Sequence, residues 1–228
     1  MDGRPYRDRR DAGRQLAARL TDPARPPAVP LGPDALVLGL PRGGVLVAAE
    51  VAAALGAELD VVAVRKLGLP ERPELAMGAL AAVGETVESV RSESVLARNP
   101  VGPAAADEVR RSELAELRRR QLAYRGDRPP PALAGRTAVL VDDGLATGST
   151  MRAALAAVRA AGPAAVVVAV PVGAPDVCAD LSVLADEVVC PVTPHPFGAV
   201  GRYYDDFGET SDDEVRAALA GGSGGGPA

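Results

Sequence analysis

The sequence predicts an α/β fold in which a parallel sheet is flanked by helices, and three observations predict it. Two short apolar runs, 35–40 (ALVLGL) and 60–64 (DVVAV), lie on either side of a helical segment, which is the strand–helix–strand unit of a parallel sheet. The second half repeats the alternation, with apolar runs at 137–141, 165–170 and 187–190 separated by helical segments at 151–161 and 176–184. These runs are apolar at nearly every position, the pattern of strands buried on both faces.

The elements follow in order. Residues 6–20 place Leu16, Ala17 and Leu20 on one face and Arg or Asp on the other, an amphipathic N-terminal helix. Five prolines make 22–33 a loop. The strand at 35–40 leads through Pro41-Arg42-Gly43-Gly44 into a helix over 45–55, stopped by Gly56. After the strand at 60–64, the segment 68–74 (GLPERPE) is polar and turn-rich, and 77–83 and 86–90 flank Gly84-Glu85 as a hairpin. A charged helix spans 104–124; its arginines alternate with Glu113 and Glu116, so a solvated, ion-paired face is expected rather than a nucleic-acid contact. Residues 126–131 are a loop. A single domain over 1–218 is expected, with a core at about 35–207, a small C-terminal hood at about 191–210, and a flexible Gly-rich tail at 219–228.

Composition narrows the function. The chain of 228 residues is 47% hydrophobic and 24% charged, and a chain of this length buries roughly 70% of its unfolded surface, so it needs no metal or disulfide staple. A net charge of -5 disfavours a broad nucleic-acid-binding face. No apolar leader follows Met1-Asp2-Gly3-Arg4-Pro5, and the longest apolar run, 164–172, is far short of a membrane span. Together these give a cytoplasmic protein with neither nucleic acid nor membrane as partner. Cys178 and Cys190 make no disulfide framework or zinc pattern, and the single histidine, His195, leaves no His-rich metal site. His195 reads as a loop residue rather than a base. Every basic residue is Arg except Lys66.

The chemistry centres on VLVDDGLATGSTM, residues 139–151. The strand carries Asp142 and Asp143 to the C-terminal edge of the sheet, where α/β folds bind ligands. Adjacent side chains in extended backbone point to opposite sides, so one carboxylate can face a ligand while the other steadies the loop. Gly144, Ala146, Thr147, Gly148, Ser149 and Thr150 follow, and then a helix begins. N–H groups at that helix start, with the three hydroxyls, form a phosphate cradle that Gly148 lets the ligand approach. Acids for sugar hydroxyls beside a phosphate cradle describe a ribose-5-phosphate site. Neither a G-x-x-x-x-G-K-[ST] loop nor a G-x-G-x-x-G after the first strand is present. A lone DDG would be an ordinary capped turn; the longer pattern favours the site.

This motif resembles the phosphoribosyl pyrophosphate (PRPP) motif of type I phosphoribosyltransferases, and is nearest to the adenine and xanthine types with DD-x-x-A-T-G-x-T-M. The resemblance covers roughly 35–207, and the whole chain also resembles bacterial phosphoribosyltransferase-like proteins of unassigned acceptor. It implies a flexible hairpin over the site, a hood that chooses the base, Mg²⁺ bound mainly through PRPP with no metal ligand assigned in the chain, and commonly a homodimer. The helices at 6–20 and 104–124 look like additions to that core. Arg42, Gly43 and Gly44 fall where the family's pyrophosphate loop lies, often with a cis non-proline peptide; a plain strand-to-helix turn is the alternative. Val64-Arg65-Lys66-Leu67-Gly68-Leu69-Pro70 resembles the adenine-type V-R-K-x-G-x-L-P, whose Arg-Lys pair meets pyrophosphate; surface charges at a strand end are the alternative.

Four of the six aromatics fall within 197–207. Phe197, Val200, Tyr203, Tyr204 and Asp205 are similar to the hypoxanthine-type F-x-V-G-x-x-x-D that holds the base, although Phe197 is one residue too far away. They serve either as an acceptor pocket or as an aromatic plug on the sheet. Hypoxanthine types carry a proton-accepting aspartate where this chain has Ala146, and Glu71 and Glu74 in the predicted loop are the replacements. The resemblance therefore implies a PRPP-dependent transferase acting on a purine-like base and releasing pyrophosphate, with Asp142, Asp143 and Glu74 as its catalytic candidates. The alternatives are a non-catalytic PRPP or nucleotide sensor and a transferase with a non-base acceptor.

Overall fold

A computed structural model describes residues 4–24, 28–126 and 128–221. Strands β1 (Leu36–Gly39), β2 (Glu58–Val61), β6 (Thr137–Val141), β7 (Ala165–Ala169) and β8 (Glu187–Val189) form the sheet in the order β2-β1-β6-β7-β8. All four pairings are parallel, as the buried apolar runs require.

Alternation decides which face each side chain serves. Val37, Val139, Val141, Val167 and Ala169 turn to one face, where α1 (Arg9–Leu20), α2 (Gly43–Leu55) and α7 (Asp212–Gly221) cover them with Leu16, Leu20, Val45, Val51 and Leu219. Leu36, Leu38, Ala138, Leu140, Val166 and Val168 turn to the other face, beneath α5 (Ser149–Ala160) and α6 (Pro175–Leu181), whose Met151, Leu155, Val158 and Leu181 complete a second core. Among the described residues no helix is long and apolar enough to cross a membrane. Cys178 and Cys190 are free, half-buried thiols.

The expected strand at 60–64 is two strands. The chain leaves the parallel sheet after Val61 and continues from Ala63 as β3 (Ala63–Leu69) of an antiparallel arm with β4 (Arg72–Val83) and β5 (Thr86–Arg91). Apolar residues are needed on both sides of that break, so periodicity does not reveal it. The 77–83/86–90 hairpin is the β4–β5 pair. The polar segment 68–74 is a loop only at 70–71; the rest lies in β3 and β4, with a register shift around Gly68. Pro73 is tolerated because β4 runs past the end of β5 there and has no partner on that side.

The arm is a two-sided wedge. Ala79, Ala81 and Val83 pack toward the α5 core, while Ala63, Leu67, Met77, Leu80 and Ala82 pack on Leu117 of α4 (Pro103–Arg125). Among the described residues two α-helices lie outside the predicted elements, α3 (Glu93–Arg98) and α7, together with a short 3-10 helix at Val200–Tyr203. α7 runs into the segment expected to be tail, as far as Gly221; residues 222–228 fall outside the described ones.

Candidate functional site

Register builds the site. β1 and β6 are neighbours with Gly39 opposite Val141, so their C-terminal ends emerge side by side, and the Leu40 amide donates to the Val141 carbonyl at 2.9 Å. The next residues on one strand are Pro41-Arg42-Gly43-Gly44 and on the other Asp142-Asp143. The two segments touch. A methyl at Gly43 would sit on the Asp143 carboxylate, and one at Gly44 would lie 2.8 Å from Asp142 Oδ1, so only glycine lets the turn close on the acids. The peptide joining Pro41 and Arg42 is cis, as is that joining His195 and Pro196.

The two carboxylates are unequal. Asp142 Oδ1 accepts the Asp143 amide at 2.9 Å. Burial, and then the neighbouring Asp143, push its pKa well above the usual carboxylate value. Burial also raises Asp143, but the Arg9 guanidinium opposes that rise: Arg9 Nε donates to Asp143 Oδ2 at 2.7 Å. The Asp143 carbonyl accepts from the Tyr204 hydroxyl at 2.6 Å. Among the described residues no group of three or more His, Cys, Asp and Glu gathers to hold a metal ion.

The loop after the acids folds as its composition suggests. Gly148 takes a left-handed conformation, φ 69°, at the start of α5. Thr147 and Ser149 are exposed with hydroxyls 3.3 Å apart, Ala146 is exposed and Thr150 is half-buried. Gly144 lies beneath Val200, so the C-terminal segment leans directly on this loop.

The other predicted residues have the following surroundings. Arg65 and Lys66 alternate across β3. Arg65 turns toward α4 and pairs with Glu113 at 2.6 Å, while Lys66 is exposed on the opposite face. Glu71 and Glu74 are exposed at the arm's tip. Of the two alternatives for the aromatics, Tyr204 takes the plug's place: it is fully buried against Tyr6 and Phe207, with ring centroids 5.4 and 4.9 Å away. Phe197 and Tyr203 stack on each other at 5.6 Å, both half-buried, and Asp205 and His195 are exposed.

Sequence reasoning missed three residues. Tyr6 bonds the Pro171 carbonyl at 2.8 Å and pairs its backbone with Tyr204. Arg9 reaches the acids from α1. Glu209 forms an ion pair with Arg42. Nothing in their spacing marks them, because each acts across more than a hundred residues of chain.

The chain matches the phosphoribosyl transferase domain model over residues 30–206. It belongs to the phosphoribosyl transferase family. Two curated relatives from Mycobacterium tuberculosis strains, provisionally named phosphoribosyl transferases, are 50% identical over 214 residues, 94% of this chain and 46% of theirs. The chain thus spans about half the length of these relatives. The crystal structure of TT1426 from Thermus thermophilus is similar at 46% identity with a TM-score of 0.76, over 94% of this chain and 97% of that one. The family segment begins after Arg9 and ends before Phe207, so the acidic pair of this phosphoribosyl transferase domain is met by Arg9 from outside the segment.

Proposed function

We propose that the protein binds PRPP and transfers its ribose-5-phosphate to a nitrogen of a purine-like base, releasing pyrophosphate. The observation that carries this reading is the closure of Gly43 and Gly44 onto Asp142 and Asp143 beside the start of α5. It puts a glycine turn, a carboxylate pair and a helix N-terminus around one edge of the sheet, and these suit diphosphate, ribose and 5′-phosphate respectively.

In this reading Thr147, Gly148, Ser149 and Thr150 hold the 5′-phosphate, with Gly144 and Ala146 shaping the loop, and the Asp142–Asp143 end receives the ribose hydroxyls. Arg42, Gly43 and Gly44 hold the diphosphate, with Lys66, exposed on the arm, as the further cation proposed for it. The bond from C1 to the diphosphate oxygen breaks, pyrophosphate leaves with the electron pair, the acceptor nitrogen bonds C1 from the opposite face, and the proton that nitrogen carried passes to solvent or the departing pyrophosphate. Positioning and charge stabilisation supply most of the help. The hard carboxylate oxygens of Asp142 and Asp143 would suit Mg²⁺ brought in with PRPP, and when bound it would supply charge neutralisation for the leaving diphosphate. Phe197 and Tyr203 form the remaining aromatic surface for a flat acceptor. A homodimer in the cytoplasm completes the reading.

A second reading, a PRPP sensor without turnover, is favoured by the exposed alanine at 146 and by the ion pairing of Arg42 with Glu209. A pyrophosphate-release assay with PRPP, Mg²⁺ and a panel of bases separates the two. Release with one base supports transfer; tight PRPP binding with no release for any base or amine overturns it in favour of the sensor.

A further inference from the structure

The two aspartates of the motif do not have the same surroundings. Asp143 is held from three directions. Its Oδ2 accepts Arg9 Nε at 2.7 Å, its carbonyl accepts the Tyr204 hydroxyl, and its carboxylate lies against Gly43. Arg9 is fixed as firmly: its NH1 donates to the Gly208 carbonyl at 2.7 Å, and its guanidinium lies 3.9 Å above the centre of the Phe207 ring. The two side chains are only 12% and 16% exposed. Turning Asp143 toward a ligand would strand a nearly enclosed guanidinium, which is costly. Asp142 makes no ion pair among the described residues, and its carboxylate bonds only the next amide in the chain.

We propose that the acids divide the work: Asp142 receives the sugar hydroxyls, and Asp143 is a positioning residue clamped by Arg9, which α1 supplies from outside the matched family segment. This rests on the PRPP reading above. α1 is then part of the site rather than an appendage to it. The clamp has a further consequence. A ligand with several negative charges meets one uncompensated carboxylate instead of two, because the second already has its cation. Through Gly208 and Phe207 the same guanidinium ties the C-terminal segment to the strand end.

A double-mutant cycle tests the proposal, with calorimetric affinities for Mg²⁺–PRPP and for Mg²⁺–pyrophosphate, which lacks the sugar. Asp142→Asn weakens PRPP binding about thirtyfold, the scale of a lost hydrogen bond to a charged group. Arg9→Gln and Asp143→Asn each weaken it about tenfold, and the double variant is no weaker than the worse single one, because the two residues act as a unit. Pyrophosphate affinity stays within about twofold throughout, whereas general loss of structure would lower both affinities together. The proposal is overturned if Asp143→Asn costs as much as Asp142→Asn and the Arg9→Gln loss multiplies with it, or if both ligands weaken in parallel. If the wild-type protein binds neither ligand, the PRPP reading fails instead. Thermal melts of the same variants then decide the clamp alone: coupled losses for Arg9→Gln and Asp143→Asn uphold it, and additive ones end it.

Discussion

Asp142 is held where ionisation is hard, and this has a measurable sign. Its native pKa lies above that of the unfolded chain because burial and Asp143 disfavour a second charge. Between those two values the folded protein keeps a proton that the unfolded chain has released, so stability is full at low pH and falls as pH rises through the window. Asp142→Asn removes that loss. At pH 7 the variant melts higher than wild type, by about 2–4 °C for each kcal/mol regained, while losing PRPP affinity. Melting curves at pH 4 and pH 7 check this; a variant that melts lower than wild type at pH 7 contradicts it. Arg42 gives a second prediction. Glu209 is exposed, so its ion pair contributes little stability, but it competes with any anion for the same guanidinium. Glu209→Gln leaves the melting temperature within about 2 °C and tightens pyrophosphate binding by about two- to fivefold, read by calorimetry; equal or weaker binding rejects the competition. At this scale the acids and the glycine turn were legible as contiguous motifs, and the cis peptide bond only through the family resemblance. Arg9 was not: it is one arginine in a chain whose basic residues are all arginine but one, and its partner is 134 positions away.

Among the elements, the start of α5 is the most sequence-determined. Gly148 has φ 69°, and a Cβ there would lie 2.6 Å from Val177 Cγ1. Gly148→Val therefore meets both backbone strain and a side-chain collision. The variant loses PRPP binding by at least about a hundredfold and destabilises by about 1–3 kcal/mol, measured by calorimetry and by urea unfolding; normal affinity would place the phosphate elsewhere. The arm shows the opposite case. Val62, between β2 and β3, is as buried as its neighbours, so composition gave no sign that the chain changes sheets there. That change sends Arg65 to Glu113 and Lys66 to the opposite face, which separates a pair that is contiguous in sequence. α7 was missed although its signal is present: Ser211 and Glu214 exchange bonds at 3.2 and 2.8 Å as a reciprocal cap, the S-x-x-E pattern of a helix start.

On the scale of the whole molecule, the segments around Tyr6 and Tyr204 meet beside the strand that carries the acids. Tyr6 and Tyr204 are both buried and pair as a parallel bridge, with Val172 and Ala12 beside them. Tyr204 also reaches the Asp143 carbonyl, so this ring packs as a plug beside the acids, whereas Phe197 and Tyr203 stay half-buried. The sequence offered pocket and plug as alternatives because clustered aromatics serve both, and only burial separates them. Tyr204→Ala should cost about 3–5 kcal/mol, the range for emptying a buried aromatic site, and lower PRPP affinity with it. Tyr204→Phe keeps the ring but strands a carbonyl, costing about 1–3 kcal/mol. Phe197→Ala and Tyr203→Ala remove half-buried rings that stack mainly on each other, so each destabilises by less than Tyr204→Ala and leaves PRPP affinity near wild type. If the acceptor stacks there, these two variants raise its KM about tenfold, consistent with base–aromatic stacking of about 1–3 kcal/mol. Chemical unfolding and PRPP calorimetry on the four variants settle the assignment: a Tyr204→Ala protein as stable as wild type would mean that the ring is no plug, and parallel loss of stability and PRPP binding in all four would extend the plug to Phe197 and Tyr203 and leave no aromatic surface for the base.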